Sequence, residues 1–285
     1  MINYFIYRLA EVLAIYLPAG FSRWLGIRVA DLFYFFSGKN RTVIEHNLRI
    51  VLKKASKKRI DHCSRWVFRN FAKSLTEFLR FGKMDAQFLK RFVKIEGIRY
   101  FDQALARGKG VIAITAHLGN WELPAAVVSF LGYPLNVVTL PHRNRLVDNF
   151  FTEKRTINGI KVIPVGSSVK MSLSALRNNQ ILVLVGDRNF SKGGVETDFF
   201  NKPALMPAGI ATLSLRFGSP IVPGFMIREK DDTFKLTFEK PIIYQPTGKR
   251  KQDLKNITRE YLKVLEKYIA GFPEQWSIFS KVWGK

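Results

Sequence analysis

With 285 residues and 47% hydrophobic content, the chain is long enough for one large domain, or a core with a helical appendage, and a disordered or fibrous protein is excluded. Its 46 Lys and Arg outnumber 22 Asp and Glu, a formal charge of +24 that calls for an anionic partner: nucleic acid, anionic phospholipid, a phosphorylated substrate or an acidic carrier protein. The single cysteine, Cys63, rules out an internal disulfide and a thiolate metal cluster, and reads as a small apolar helix residue.

The first 36 residues carry Arg8, Glu11, Arg23, Arg28 and Asp31 and no small-residue cleavage pattern, so no secretory leader is expected there. The longest uncharged run, from Val12 to Ser22, has 11 residues and contains Pro18, short of the roughly 20 needed to span a bilayer. Ile2, Phe5, Ile6, Leu9, Leu13 and Tyr16 recur at three- and four-residue spacing, which predicts a helix over 2–16 with one apolar stripe. Such a helix lies in a membrane interface or, alternatively, caps a soluble core. Further helices are predicted over 41–53 and 57–81. In the second, Ile60, Cys63, Val67, Phe71, Leu75, Phe78 and Leu79 face inward, while Lys57, Lys58, Arg59, Arg65, Arg69, Lys73 and Arg80 supply charge. Residues 1–85 are therefore expected to form a basic, helical, membrane-associating region, and 86–285 the core.

After Gly97 the texture changes. Short apolar runs at 111 (VIAIT), 135 (LNVVTL), 161 (KVIPV), 181 (ILVLVG) and 221 (IVPGFMI) alternate with helical patterns over 144–157, 167–178 and 207–217. FKLTFEKPI at 234 alternates like an edge strand, and a last helix is predicted over 251–270. The layout is α/β, a mixed and mostly parallel sheet flanked by helices.

In VIAITAHLGNWE, His117 falls at the end of a buried strand and Glu122 five residues later. On a continuous helix, five residues turn through about 500° and would separate the two side chains. Gly119 and Asn120 instead predict a turn that brings imidazole and carboxylate together at the strand's C-terminal edge, where open α/β sheets bind their ligands. A histidine oriented by a carboxylate removes a proton from an attacking hydroxyl, because its ordinary pKa near 6.5 lies close to working pH. The same spacing also suits a capped strand end. No Gly-x-Ser-x-Gly elbow or HExxH helix is present, which favours direct transfer over an acyl-enzyme. Asp187 and Arg188 follow ILVLVG and emerge at the same sheet edge, as a salt bridge or as substrate contacts. His142 and Arg143 follow another strand end and are candidates for an acceptor head group, whereas His46 and His62 read as structural.

HLGNWE resembles the HxxxxE/D signature of the late lipid A acyltransferases, the lauroyl- and myristoyltransferase family that also includes phosphatidylinositol-mannoside acyltransferases. PLNVVTLPHRNRLVDNFFTEKR, LVGDRNF, GGVETDFFNKPALMPAGIATLSLRFGSPIVPGF and PEQWSIFSKVW are similar, in order, to further segments of that family, and the likeness covers roughly 95–283. Two departures occur: Phe199-Phe200-Asn201 replaces Phe-Phe-Gly, and Ser277-Ile278 stands where an aromatic and a basic residue are often found. The resemblance implies a glycerolipid-acyltransferase-like fold that moves a fatty acyl group from an acyl-carrier protein or coenzyme A thioester to a hydroxyl of a lipid A precursor. No cofactor is implied beyond that co-substrate. It implies His117 as general base, partnered by Glu122 or, as in some members, by Glu196. Arg155, with the amides of Gly119 and Asn120, would hold a phosphate or the developing oxyanion. Phe199 and Phe200, beside Gly193-Gly194, would line an acyl groove. The implied location is the cytoplasmic face of the inner membrane, peripheral or monotopic. Another glycolipid or a lysophospholipid is the alternative acceptor. A basic nucleic-acid-binding protein is the reading from another class, supported by charge alone and lacking a helix-turn-helix, zinc finger or RNA signature.

Overall fold

The computed structural model describes residues 2–165, 168–190 and 193–284. Four helices open the chain: α1 (Ile2–Tyr16), α2 (Ala19–Phe36), α3 (Gly38–Val51) and α4 (Lys57–Leu79). Pro18 separates the first two, since its fixed φ and missing N–H suit a helix start and not an interior. Ser56 caps α4, its hydroxyl accepting the Arg59 amide at 3.3 Å. One stripe of α4, with Ile60, Cys63, Val67 and Phe68, meets Ala30 of α2 and Ile44 and Leu48 of α3. Gly26 permits the close approach of α2, since a Cβ there would lie 2.9 Å from Thr76 Oγ1. Asp31 binds Arg69 through both oxygens, at 2.8 Å each, and Arg65 at 2.9 Å. Carbonyls at the end of α1 and just past it are taken up by Arg80, which donates to Ala14 and Leu17, and by Lys83, which donates to Ile15.

After a short 3-10 turn the core follows as α5 (Ala86–Phe92), β1 (Val93–Glu96), α6 (Arg99–Leu105), β2 (Val111–Thr115), α7 (Leu123–Phe130), β3 (Leu135–Thr139), α8 (Arg145–Thr156), β4 (Lys161–Pro164), α9 (Ser168–Arg177) and β5 (Ile181–Val185). Then come β6 (Val195–Phe199), β7 (Lys202–Met206), α10 (Ala208–Phe217), β8 (Ile221–Arg228), β9 (Phe234–Phe238), α11 (Arg250–Gly271) and a closing 3-10 turn, Pro273–Gln275. Seven strands form one sheet in the order β1-β9-β8-β2-β5-β3-β4, parallel in every pairing except β8 with β9.

Both faces of this sheet are covered. Ile112, Ile114 and Leu182 meet α10 and α11 on one side, while Val111, Ala113 and Ile181 meet α6 and α7 on the other. Burial on both faces explains why β2 and β8 read as continuous apolar runs. The strand at 234 is not an edge, as its alternation suggested: β1 lies outside it, and Glu96 of β1 pairs with Lys235 at 2.9 Å.

The β6–β7 hairpin stands apart as a two-stranded sheet packed on α11. Its turn holds Phe200 at φ 54° and Asn201 at φ 57°. Asn tolerates that left-handed conformation, so it does the work of the glycine it replaces. Phe200 is held there by burial of its ring and by its amide, which donates to Glu266.

Candidate active site

β2 and β5 are neighbours, with Thr115 opposite Val185 and the Gly186 amide donating to the Thr115 carbonyl at 2.9 Å. Two residues beyond that level on each strand stand His117 and Asp187, so parallel register alone brings them together. His117 Nδ1 lies 2.8 Å from Asp187 Oδ1, and the His117 amide donates to Oδ2 at 2.8 Å. The indole N–H of Trp276 donates to the same Oδ2, also at 2.8 Å. Burial pushes the Asp187 carboxyl up, but the charge and ring N–H of His117, the Trp276 indole and the His117 amide outweigh it and hold the carboxyl below its ordinary range. An ionised acceptor at Nδ1 fixes the proton there and leaves Nε2 as the basic nitrogen. The imidazole is 21% exposed and lines a cavity of about 620 Å³.

The turn that carries the imidazole is built from outside its own strand. Gly119 has φ 61°, and a Cβ there would come within 1.9 Å of the Met226 carbonyl, so only glycine fits. Its N–H donates to Gln275 O at 3.0 Å, and the Asn120 N–H to Met226 O at 3.1 Å. These amides were expected to face substrate; they are consumed in docking the turn between β8 and the chain's closing segment. The Asn120 side chain is fully buried, donating to Glu77 of α4 at 2.7 Å and accepting the Leu123 amide at the start of α7 at 3.1 Å. Glu77 in turn grips Arg228 through two contacts of 2.6 Å. The Glu77–Arg228 pair, Gln275 and Trp276 are the supporting residues that motif spacing does not reveal.

Glu122 does not reach His117. Its carboxylate forms a two-pronged pair with Arg155 from the last turn of α8, at 2.9 and 2.6 Å, and the guanidinium packs over Phe78 and Phe151. Both residues line the cavity, but Arg155's paired donors are already occupied. Glu196 is further removed from its expected role. It sits on the exposed side of β6, because Val195, Thr197 and Phe199 take the inward positions of a period-two strand.

Phe199 and Phe200 are buried among Trp276 and Trp283 and do not line the cavity; they back the closing segment instead of forming a groove. Arg143 is exposed in the loop before α8 and also lies off the cavity lining, whereas His142 reaches it and packs on Phe151 at 4.6 Å. Burial lowers the His142 pKa. Arg188 lines the cavity with its guanidinium 4.2 Å from the Phe190 ring centre, and among the described residues no carboxylate lies within ion-pair distance of it. Burial pulls its pKa down as well.

The cavity extends from His117 along the α6/α7 face of the sheet to Phe101, Val128, Leu135 and Phe238. Its wall there is apolar, suited to a hydrocarbon chain. Ser74 also lines it, but its hydroxyl donates to the Gly119 carbonyl at 3.2 Å. Cys63 is buried in the cluster of N-terminal helices. The arrangement offers a base rather than an activated side-chain nucleophile.

The sequence profile of the family described as bacterial lipid A biosynthesis acyltransferase matches residues 1–285. The chain is 26% identical over 195 residues to a phosphatidylinositol mannoside acyltransferase of Mycobacterium tuberculosis, covering 66% of this chain and 59% of that protein. It is 25% identical over 245 residues to the protein of the same name from Mycolicibacterium smegmatis, covering 84% and 78%. A lipid A biosynthesis acyltransferase of Haemophilus influenzae is 26% identical over 183 residues, covering 63% and 55%. The matched stretch therefore spans less than two thirds of the first and last of these relatives.

Proposed function

Because the chain belongs to the bacterial lipid A biosynthesis acyltransferase family, we propose that it transfers a fatty acyl group from a thioester to a hydroxyl of a lipid acceptor, with His117 as general base. The observation that carries this reading is the His117–Asp187 pair opening onto an apolar cavity of about 620 Å³. The acceptor hydroxyl attacks the thioester carbonyl carbon as Nε2 takes its proton. The tetrahedral intermediate then expels the thiolate, which recovers that proton from the imidazolium, so the ester forms and the thiol leaves with no net proton change. Asp187 stabilises the transient imidazolium. Arg188, the cavity cation without an acid partner among the described residues, is placed to receive the oxyanion or a phosphate of either substrate.

The donor is an acyl-carrier protein or coenzyme A thioester. The acceptor is a lipid A precursor or a related glycolipid, a range that the names of the relatives support. A lysophospholipid is the remaining alternative. No helix among the described residues is long and apolar enough to cross a membrane. Yet α1 and α2 expose Phe5, Leu9, Leu32 and Phe36, each more than 60% accessible, on the sides turned away from α4. A run of apolar side chains of this size favours an interfacial helix pair. Together with the chain's net charge it supports peripheral attachment to an anionic bilayer.

Incubation of the purified protein with acyl thioesters and candidate acceptors, followed by lipid mass spectrometry, tests the reading. A mass gain of one acyl group that disappears in His117→Ala supports it; an unchanged gain in that variant removes His117 from the reaction.

A further inference from the structure

The chain's closing segment, residues 273–283, runs under the His117 turn and is stitched to it. The Gly119 amide donates to Gln275 O at 3.0 Å, and the Ser277 amide returns to His117 O at 2.7 Å. Gln275 locks the segment to β8 by accepting the Arg228 amide at 3.0 Å and donating to the Arg228 carbonyl at 2.9 Å. Between these anchors, Trp276 sends its indole N–H to Asp187.

We propose that Trp276 is a positioning residue for the base: by occupying Oδ2 of Asp187 it reserves Oδ1 for His117 Nδ1 and so holds the imidazole with Nε2 toward the cavity. The inference rests on the acyl-transfer reading above. A carboxylate can exchange its two oxygens by rotating about one bond, and a lone Asp187–His117 contact would survive that exchange with the ring displaced. Two donors converging on Oδ2, the His117 amide and the Trp276 indole, oppose the rotation. Trp276 is itself fixed. It is 2% exposed and wedged against Phe199 and Trp283, and the Trp283 indole is tied to the Phe199 carbonyl at 3.0 Å.

The same bond sets the strength of the base. An N–H on Oδ2 withdraws part of the charge that Asp187 presents to the imidazolium. Without it the proton is held more tightly on His117, and the acidic limb of the activity profile moves to higher pH. The other charged or titratable groups, Tyr7 of α1, Arg188 after β5, Glu122 at the turn, His142 before α8 and Arg155 in its last turn on the cavity, and the buried Tyr261 of α11 near Asp187, are unaltered when Trp276 changes, so a shift reports on this bond.

The test is site-specific replacement of Trp276 by benzothienylalanine, which keeps the bicyclic shape and exchanges the N–H for sulfur, alongside Trp276→Phe and Trp283→Phe. The isostere is expected to lose about tenfold in kcat, the scale on which a bond supporting a functional histidine acts. KM and melting temperature should stay close to those of the parent, with the acidic limb raised. Trp283→Phe, which disturbs the same aromatic cluster without touching Asp187, should leave the limb in place. An isostere with parental kcat and limb, or an equal shift in Trp283→Phe, overturns the proposal. If Trp276→Phe does not fold, the isostere decides alone. His117→Ala run in parallel separates the two readings: transfer persisting in that variant sinks the acyl-transfer mechanism itself.

Discussion

Two buried carboxylates grip the turn at 117–120 from opposite sides, and their surroundings differ. Asp187, above the β2/β5 edge, faces an imidazole that can gain and lose a proton and that opens onto the cavity. Glu77, below it on α4, faces the guanidinium of Arg228, whose charge is permanent and whose side chain is 4% exposed. Geometry is equally good in both pairs. What separates them is whether one member can change charge and reach solvent or substrate. On the reading proposed above, the first is a proton-handling pair and the second a construction joint that fixes where the first one stands.

The sharpest way to break this comparison is to remove one member of each. His117→Ala should lower acyl transfer by about a thousandfold or more, while costing less stability than Glu77→Ala, because the buried Asp187 keeps the backbone amide of residue 117 and the Trp276 indole as donors. Glu77→Ala should do the reverse to folding. It leaves a buried guanidinium with a single longer contact, to Asp232 at 3.6 Å, and strands the Asn120 amide, so urea unfolding should show a loss of about 3 kcal/mol. If Glu77→Ala instead melts like the parent while losing turnover, the two pairs do not divide the work as argued.

A titration sharpens the contrast. The Asp187 carboxyl is held below its ordinary value, near 3.9, so its contribution to stability is complete above that pH and is lost as pH falls through its lower folded value. Parent protein should lose stability from about pH 4 downward, and Asp187→Asn should show a flatter acid limb in calorimetry, with transfer strongly reduced. An unchanged acid limb would mean that the carboxylate carries no folding energy.

How much of this was legible beforehand depended on whether a signal was local. The strands at 111, 135, 161, 181 and 221 and the four core helices stood out because buried parallel strands read as unbroken apolar runs. The short elements α5, β1, α6 and α7, the long α2, and the β6–β7 hairpin did not, the last because Phe200-Asn201 is not a usual turn pair. For the site, His117 was marked by its place after VIAIT, and Asp187 by the matching place after ILVLVG. Only the strand pairing, which composition does not encode, shows that these two ends are adjacent. Glu122 looked the better partner because it was near in sequence, and the structure sends it to Arg155, 33 residues away. Trp276 lies 89 residues from Asp187, beyond the reach of any periodicity argument.

A smaller effect is expected at the exposed helices. Leu9→Ser combined with Phe36→Ser removes two large apolar side chains that are mostly exposed, Phe36 meeting the equally exposed Phe35 ring, so soluble stability should change little. Each buried side chain of this size is worth about 1.5–3 kcal/mol on leaving water, and partial insertion recovers part of that. Sedimentation with anionic vesicles should fall by about tenfold or more, while transfer to a detergent-dispersed acceptor persists. Unaltered sedimentation would mean that these helices cap something other than a bilayer.

The smallest effect is expected at the residue that sequence likeness offers as the alternative partner of the base. Glu196 stands where the family resemblance of GGVETDFF implies an acid for the histidine. In this chain, however, the strand alternates Val195, Thr197 and Phe199 inward, which obliges Glu196 to face outward, and Asp187 already fills both hydrogen-bonding directions toward the turn. A second acid would have to displace a carboxylate held by three N–H donors. Glu196→Gln should therefore leave kcat and KM within about twofold of the parent, as surface substitutions clear of such features usually do, whereas Asp187→Asn should not. A large loss in Glu196→Gln with Asp187→Asn still active would reassign the acid and require the hairpin to swing over the cavity during the reaction.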